Sequence, residues 1–167
     1  MTTNTAPLLA PAPLVITVHG VPAPQGSKSA FALRKAGVYT GRVAIVEDAK
    51  HRTRPWRQLV TAAAVTAMAG AAPLAGPLAV SCVLTMPKPK SAPKRQRAWA
   101  CKRPDRGKLE RAIEDALTDA GVWGDDAQVV IWTGGKFYAG DGSRFGEYDV
   151  LDSPGAVIRI RQIGGTR

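Results

Sequence analysis

The chain has 167 residues, which is enough for one domain with a sizeable hydrophobic core. It carries 23 Lys and Arg against 13 Asp and Glu, and this formal net charge of +10 favours polyanionic partners such as nucleic acid or an anionic membrane surface. Its two cysteines show no CxxC spacing and its two histidines lie far apart, which argues against a disulfide framework and a zinc site.

The first residues predict a tail followed by a strand. Residues 1–12 are rich in Thr, Ala and Pro without periodicity, so they are expected to be disordered, ahead of a single domain over residues 13–167. They lack a signal-peptide pattern. The apolar stretch from Thr61 to Gly76 is too short to span a bilayer. We therefore expect a cytoplasmic protein, with Leu14–Val18 as its first strand.

A proline-rich loop and a hairpin come next. The loop Val21–Lys28 is kept extended by two prolines. Phe31–Leu33 and Val38–Tyr39 suit a short hairpin, and Val43–Val46 suits a further strand.

A long helix is predicted from Asp48 to about Met68, with Pro55 near its start. Apolar residues then recur with helical spacing on one face. These residues are Trp56, Leu59, Val60, Ala63 and Ala64. Leu78–Met86 is an apolar run bounded by prolines and predicts a second strand.

Residues 87–104 change character, because three prolines punctuate a run dense in Lys and Arg. No core forms from such a composition, so we expect a mobile basic surface loop. Its clustered cations indicate phosphate binding, and the alternative is a solvated charge run. Trp99 within it suits stacking on an exposed base or packing against the domain.

The clearest helix follows this loop and stops at Gly121. Its apolar stripe consists of Leu109, Ala112, Ile113, Ala116 and Leu117. Ala127–Trp132 and Ala156–Arg161 predict the last strands. Helices and strands thus mix without regular alternation. This order favours a two-layer α+β fold, with a mixed β-sheet and both main helices packed on one face.

Three carboxylates flank the second helix. Asp105 precedes it, and Asp125 and Asp126 follow it in a polar turn. Taken singly, they suit a helix N-cap and a turn. Taken together, they suit a Mg²⁺ or Mn²⁺ site if the helix returns the chain so that they converge at a sheet edge. Such a metal activates water against a phosphodiester.

The same block resembles a known family in order and spacing. The matching residues are Pro104-Asp105, Leu109, Asp115-Ala-Leu117 and Trp123-Gly-Asp-Asp-Ala-Gln-Val129. The start, Val18-His-Gly-Val-Pro-Ala-Pro-Gln-Gly-Ser-Lys28 with Arg54-Pro-Trp56, is similar as well. Over residues 14–162 the chain resembles the RusA-type Holliday junction resolvases, phage and bacterial endonucleases of DNA recombination and repair that cut four-way DNA junctions.

The resemblance implies a homodimer that makes Mg²⁺-dependent nicks in branched DNA. It carries metal-binding roles to Asp105 and Asp126, and it places the family's catalytic lysine on Arg111. The family's second carboxylate falls on Gly107, which has no ligand atom. This departure predicts a weakened or inactive nuclease unless another acid, first of all Asp125, replaces it.

Two functions therefore stand side by side. The first is a structure-selective, metal-dependent endonuclease, and the alternative is a non-catalytic basic DNA- or RNA-binding module. The DNA-binding candidates share a positive charge and an expected surface position. They are Lys28, Arg54, Arg57, Lys88, Lys90, Lys94, Arg95, Arg97, Lys102 and Arg103, with Arg52 as a further candidate.

Overall fold

The computed structural model describes residues 12–26, 28–47, 50–93 and 96–164, and only the backbone of residues 28–31, 45–47 and 50. The predicted tail, apart from Ala12, and the predicted helix cap Asp48 lie outside the described residues. The strands are β1 (Leu14–His19), β2 (Lys28–Lys35), β3 (Val38–Glu47), β4 (Leu78–Met86), β5 (Val129–Tyr138) and β6 (Gly155–Gln162). The helices are α1 (Lys50–Met68) and α2 (Arg106–Asp119), with short 3-10 turns at Asp126–Gln128 and Gly142–Arg144.

Four strands form one mixed sheet in the order β1-β6-β4-β5. β6 pairs antiparallel with both β1 and β4, whereas β4 and β5 are parallel and connected through α2. Both helices contribute to a single core with alternate residues of these strands. The core members from the strands include Ile16, Val18, Val80, Cys82, Leu84, Ile158 and Ile160. The prediction of an α+β fold with a mixed sheet and both helices on one face is confirmed.

The stripe predicted for α2 is buried throughout, since all five of its apolar residues are among the buried residues of the helix. The stripe of α1 departs from expectation at Leu59, which is 45% exposed. Trp56, Val60 and Ala64 are buried and continue to Met68, so α1 turns a narrower face to the core than the apolar pattern suggests.

The β2–β3 hairpin forms a separate two-stranded sheet. Its two-residue turn has positive φ at both Ala36 (47°) and Gly37 (83°), the geometry that suits the twist of paired strands. Val43–Val46, predicted as a further strand, instead continues β3. A register shift between Ala32 and Arg34 lets the longer strand stay paired.

The outer face of the sheet carries a smaller apolar cluster. Val83 and Phe137 pack there with Phe145, which comes from the connection between β5 and β6. None of the described helices combines the length and the apolar character that a bilayer span requires.

Candidate nucleic-acid interface

A cleft of about 990 Å³ lies where the loop before β2, the start of α1 and the segment leading into α2 meet. Five cationic side chains line it, and Asp105 is the one acid among its described lining residues. The cations are Arg52, Lys102, Arg103, Lys108 and Lys136. Such an excess of positive charge in a concave surface concentrates the field and attracts polyanions.

Backbone hydrogen bonds hold the walls of this cleft together. The amide of Gln25 donates to the carbonyl of Lys108 over 2.8 Å, which joins the proline-rich loop to the first turn of α2. The hydroxyl of Thr53 donates to the carbonyl of Pro24 over 2.6 Å, which joins the same loop to α1. The extended backbone that the prolines impose leaves these groups free to bond outside the loop.

Lys136, on β5, holds the segment that leads into α2 against the sheet. Its Nζ donates to the carbonyls of Lys102 and Pro104, each over 2.7 Å. The sequence does not single out Lys136, because it lies within an apolar strand more than thirty residues after the basic loop. Only the parallel pairing of β5 with β4 brings it to the cleft, opposite Leu84.

Asp105 stands at the entrance to α2. It has the N-cap backbone conformation (φ −67°, ψ 139°), but its side chain makes no capping hydrogen bond. The carboxylate is 66% exposed and lies 3.9 Å from the ammonium of Lys108. The N-cap interpretation is thus right for the position and wrong for the side chain, and the helix does not use the carboxylate.

Asp125 and Asp126 differ in how they are used. The carboxylate of Asp125 accepts a 2.8 Å hydrogen bond from the amide of Ala127 and forms a capping box with Gln128. Gln128 also donates to the carbonyls of Leu74 and Gly76, both over 3.1 Å, which ties this turn to the chain before β4. Asp126 is exposed. Asp125 therefore stabilises the turn, and its geometry gives no support to a role in place of the residue missing at position 107.

The order of the elements separates the backbone positions of Asp105 and Asp126. Because β4 and β5 are parallel, α2 must run back along the sheet, so its two ends lie at opposite ends of these strands. Burial raises the pKa of Glu114, and the negative charge of Asp126 raises it further, to a smaller extent. Glu114 follows Asp105 by nine residues, or about 13 Å along a helix axis.

The described residues contain no cluster of three or more acidic, His or Cys side chains that suits a metal ion. Asp105, a single exposed carboxylate beside a lysine, does not fit a divalent cation by itself. The metal-binding roles expected of Asp105, Asp125 and Asp126 therefore stay a prediction.

Gly107 and Arg111 share one face of α2, since they are four residues apart. Both are exposed. A Cβ built at Gly107 meets no atom within 4 Å, so the position has room for a larger side chain. A side chain added there would lie between Asp105 and Arg111 along the helix.

The predicted DNA-binding cations fall into different groups. Arg57 bridges the two helices through Asp115 (3.3 Å) and Asp119 (2.5 Å), and Lys88 pairs with the buried Asp141 (2.8 Å). These two cations form ion pairs within the domain and so stabilise the fold. Lys102 and Arg103 line the cleft instead. Arg54 and Lys90 are exposed, whereas Lys94, Arg95 and the side chain of Lys28 lie outside the described residues.

Residues 87–104 contain no helix or strand in their described parts, as the composition predicts. Contacts nevertheless attach this loop to the domain. Besides Lys88, Arg97 donates to the carbonyl of Arg144, and Trp99 packs on Phe145. The mobility expected of this loop stays a prediction.

Comparison with known proteins adds the family. The chain matches the family described as endodeoxyribonuclease RusA over residues 24–145. The matched part includes most of the cleft lining, both helices and the block that carries Asp105 and Asp126. A search among curated proteins found no significant match. The match spans well over half of the 167 residues, so the chain belongs to the RusA endodeoxyribonuclease family.

Proposed function

We propose that this protein binds four-way DNA junctions through the basic cleft and is a structure-selective endonuclease whose cleavage is weakened or absent. The observation that carries the proposal is the cleft itself, whose lining combines five cations with the carboxylate of Asp105, which makes no capping hydrogen bond. Family membership supports branched DNA as the polyanion. Phosphate contacts would hold the junction in place.

Replacing Lys102 and Arg103 together with Ala tests the binding half. Both side chains are exposed, so the fold is expected to survive. Removing one phosphate contact should flatten the dependence of log affinity on log salt concentration by roughly 0.9. Arg161, an exposed cation on β6, gives the matched control. Equal salt slopes for the double variant and Arg161→Ala would place the DNA elsewhere.

The catalytic part of the proposal concerns Gly107. The family resemblance implies Mg²⁺, or Mn²⁺, with Asp105 and Asp126 as ligands and Arg111 in place of the catalytic lysine. Asp105 precedes α2 and Asp126 follows it, and Gly107 offers no third carboxylate. We therefore assign no chemical step to a metal in this protein. Asp105 by itself does not fit a divalent cation, and the carboxylate missing at position 107 is the proposed reason for weakened cleavage.

Gly107→Asp tests this interpretation directly. The space around position 107 is open, so the new carboxylate is accommodated, two residues after Asp105 and four before Arg111. We expect Mg²⁺-dependent junction cleavage well above that of the parent, and Mg²⁺ binding measurable by calorimetry. Gly107→Asn is the control, because it has the same size without the charge. If Gly107→Asp neither binds Mg²⁺ nor cleaves, the site is not built as proposed.

A second candidate function is a non-catalytic DNA- or RNA-binding module. The separation of Asp105 from Asp126 favours it, since binding needs the cations and not the carboxylates. The parent protein distinguishes the two: a nuclease cleaves junctions to a measurable extent in Mg²⁺, whereas a binding module leaves them intact.

The family resemblance also implies a homodimer, which we include in the proposal. β5 is an edge strand of the sheet and exposes Val130 (60%) and Ile131 (44%), a surface that favours self-association. Mass measurement in solution tests this point. A monomer at micromolar concentration, with or without DNA, would contradict it.

A further inference from the structure

Trp99 is the most exposed of the four tryptophans. It is 60% exposed, whereas Trp56 and Trp123 are almost fully buried. An exposure of 60% leaves on the order of 150 Å² of a tryptophan side chain uncovered. A single exposed aromatic residue is common on protein surfaces, so its support and its neighbours decide whether it has a role.

Trp99 packs on buried aromatic side chains of the domain. Its ring packs edge-on against Phe145, with 5.0 Å between ring centroids and an interplanar angle of 69°. Phe145 is fully buried and rests on Phe137 at 4.8 Å. The exposed ring of Trp99 is therefore connected to strand β5 through Phe145 and Phe137.

The guanidinium of Arg97 lies beside the Trp99 ring. Its guanidinium carbon lies 4.3 Å from the ring centroid of Phe145 and 5.3 Å from that of Trp99. Both Nε and Nη2 donate to the carbonyl of Arg144, whose own guanidinium pairs with the buried Asp141 over 2.6 Å. These contacts position Trp99 and Arg97 without a ligand, and contacts of this kind lower the entropy that binding costs.

Trp99 directly precedes Ala100, which belongs to the cleft lining, while the Trp99 ring itself packs on Phe145 outside that lining. An aromatic face with a neighbouring cation next to a phosphate-binding groove is the combination by which single-stranded DNA is held. Paired bases inside a continuous duplex cannot reach such a face. Bases at the crossover of branched DNA, where stacking is interrupted, can.

We propose that Trp99, supported by Phe145 and flanked by Arg97, is a stacking platform for a nucleobase exposed at the crossover of branched DNA. The inference rests on the proposed function, since it assumes that the cleft binds the arms of a junction. It assigns to Trp99 the preference for branched over duplex DNA, and leaves affinity for phosphates to the cleft.

The test compares Trp99→Ala and Trp99→Phe with the parent, using a four-way junction and a linear duplex of equal length. Trp99→Ala should weaken junction binding roughly 5- to 150-fold, the equivalent of about 1–3 kcal/mol for one stacked base. Duplex affinity should stay within about twofold, because duplex offers no exposed base. Trp99→Phe keeps an aromatic face and should recover part of the affinity.

Tryptophan fluorescence supplies a readout that a purely structural role would not move. Trp99 is the tryptophan most open to acrylamide, and bound junction should protect it from quenching while bound duplex should not. Trp99→Phe should remove this difference. Equal weakening of junction and duplex binding in Trp99→Ala, or no protection by the junction, would overturn the proposal. A parent protein that does not prefer the junction would instead refute the proposed function itself.

Discussion

The buried ion pairs of Asp141 test what stabilises the connection between β5 and β6. Its side chain is fully buried, and one carboxylate oxygen accepts from both Lys88 (2.8 Å) and Arg144 (2.6 Å). Through these two cations it joins the segment after β4 to the connection that carries Phe145. Asp141→Ala removes the shared partner and leaves two cations without this counter-charge.

The magnitude follows from the burial of the three side chains. Removing one partner from a buried ion pair costs about 3–5 kcal/mol. Lys88 and Arg144 keep 21% and 31% side-chain exposure and regain some hydration, so we expect the lower end, about 3 kcal/mol. For a chain of this length such a destabilisation lowers the melting temperature by roughly 6–12 °C.

Asp149 provides the control. It pairs with Arg159 over 2.8 Å, but both side chains are more than 40% exposed, so Asp149→Ala should cost about 0–1 kcal/mol. Urea unfolding of both variants at pH 7 measures the difference. If Asp141→Ala costs no more than Asp149→Ala, burial of the shared carboxylate does not stabilise this connection, and the reasoning fails.

Two further predictions concern the sheet and α2. At Gly134 (φ +120°) a Cβ would lie 1.9 Å from the carbonyl oxygen of Cys82, so Gly134→Ala should destabilise the fold by about 3 kcal/mol or more, whereas Gly107→Ala, in open space within a helix, should stabilise it by about 0.5–1 kcal/mol. Equal effects in urea unfolding would contradict the clash. Burial and Asp126 raise the pKa of Glu114, so its ionised form opposes folding above that raised pKa and the penalty disappears well below pH 4.5, where both states bind the proton. Glu114→Gln should therefore raise the melting temperature at pH 7 and lose this advantage in acid; a calorimetric gain that is independent of pH would contradict this prediction.

Much of this protein could be read from its sequence, because local patterns decide local structure. The apolar runs predicted β1, β4 and β6 within a residue or two, and the five-residue stripe predicted the buried face of α2. The block from Pro104 to Val129 was enough to predict the family that the comparison confirms. Net charge predicted a polyanionic partner, which the basic cleft supports.

Other features depended on distances that no local pattern contains. The sequence places Asp105 and Asp126 around one helix, but only the parallel pairing of β4 with β5 shows that this helix runs back along the sheet and separates their backbone positions. The sequence also does not show which group a Lys or Arg side chain will contact in the folded protein. Lys88 is neutralised by a buried acid more than fifty residues away, whereas Lys136, in an unremarkable strand, supports the cleft. Residue types and periodicity act over a few residues, while ion pairs and clefts join segments that meet only when the chain has folded.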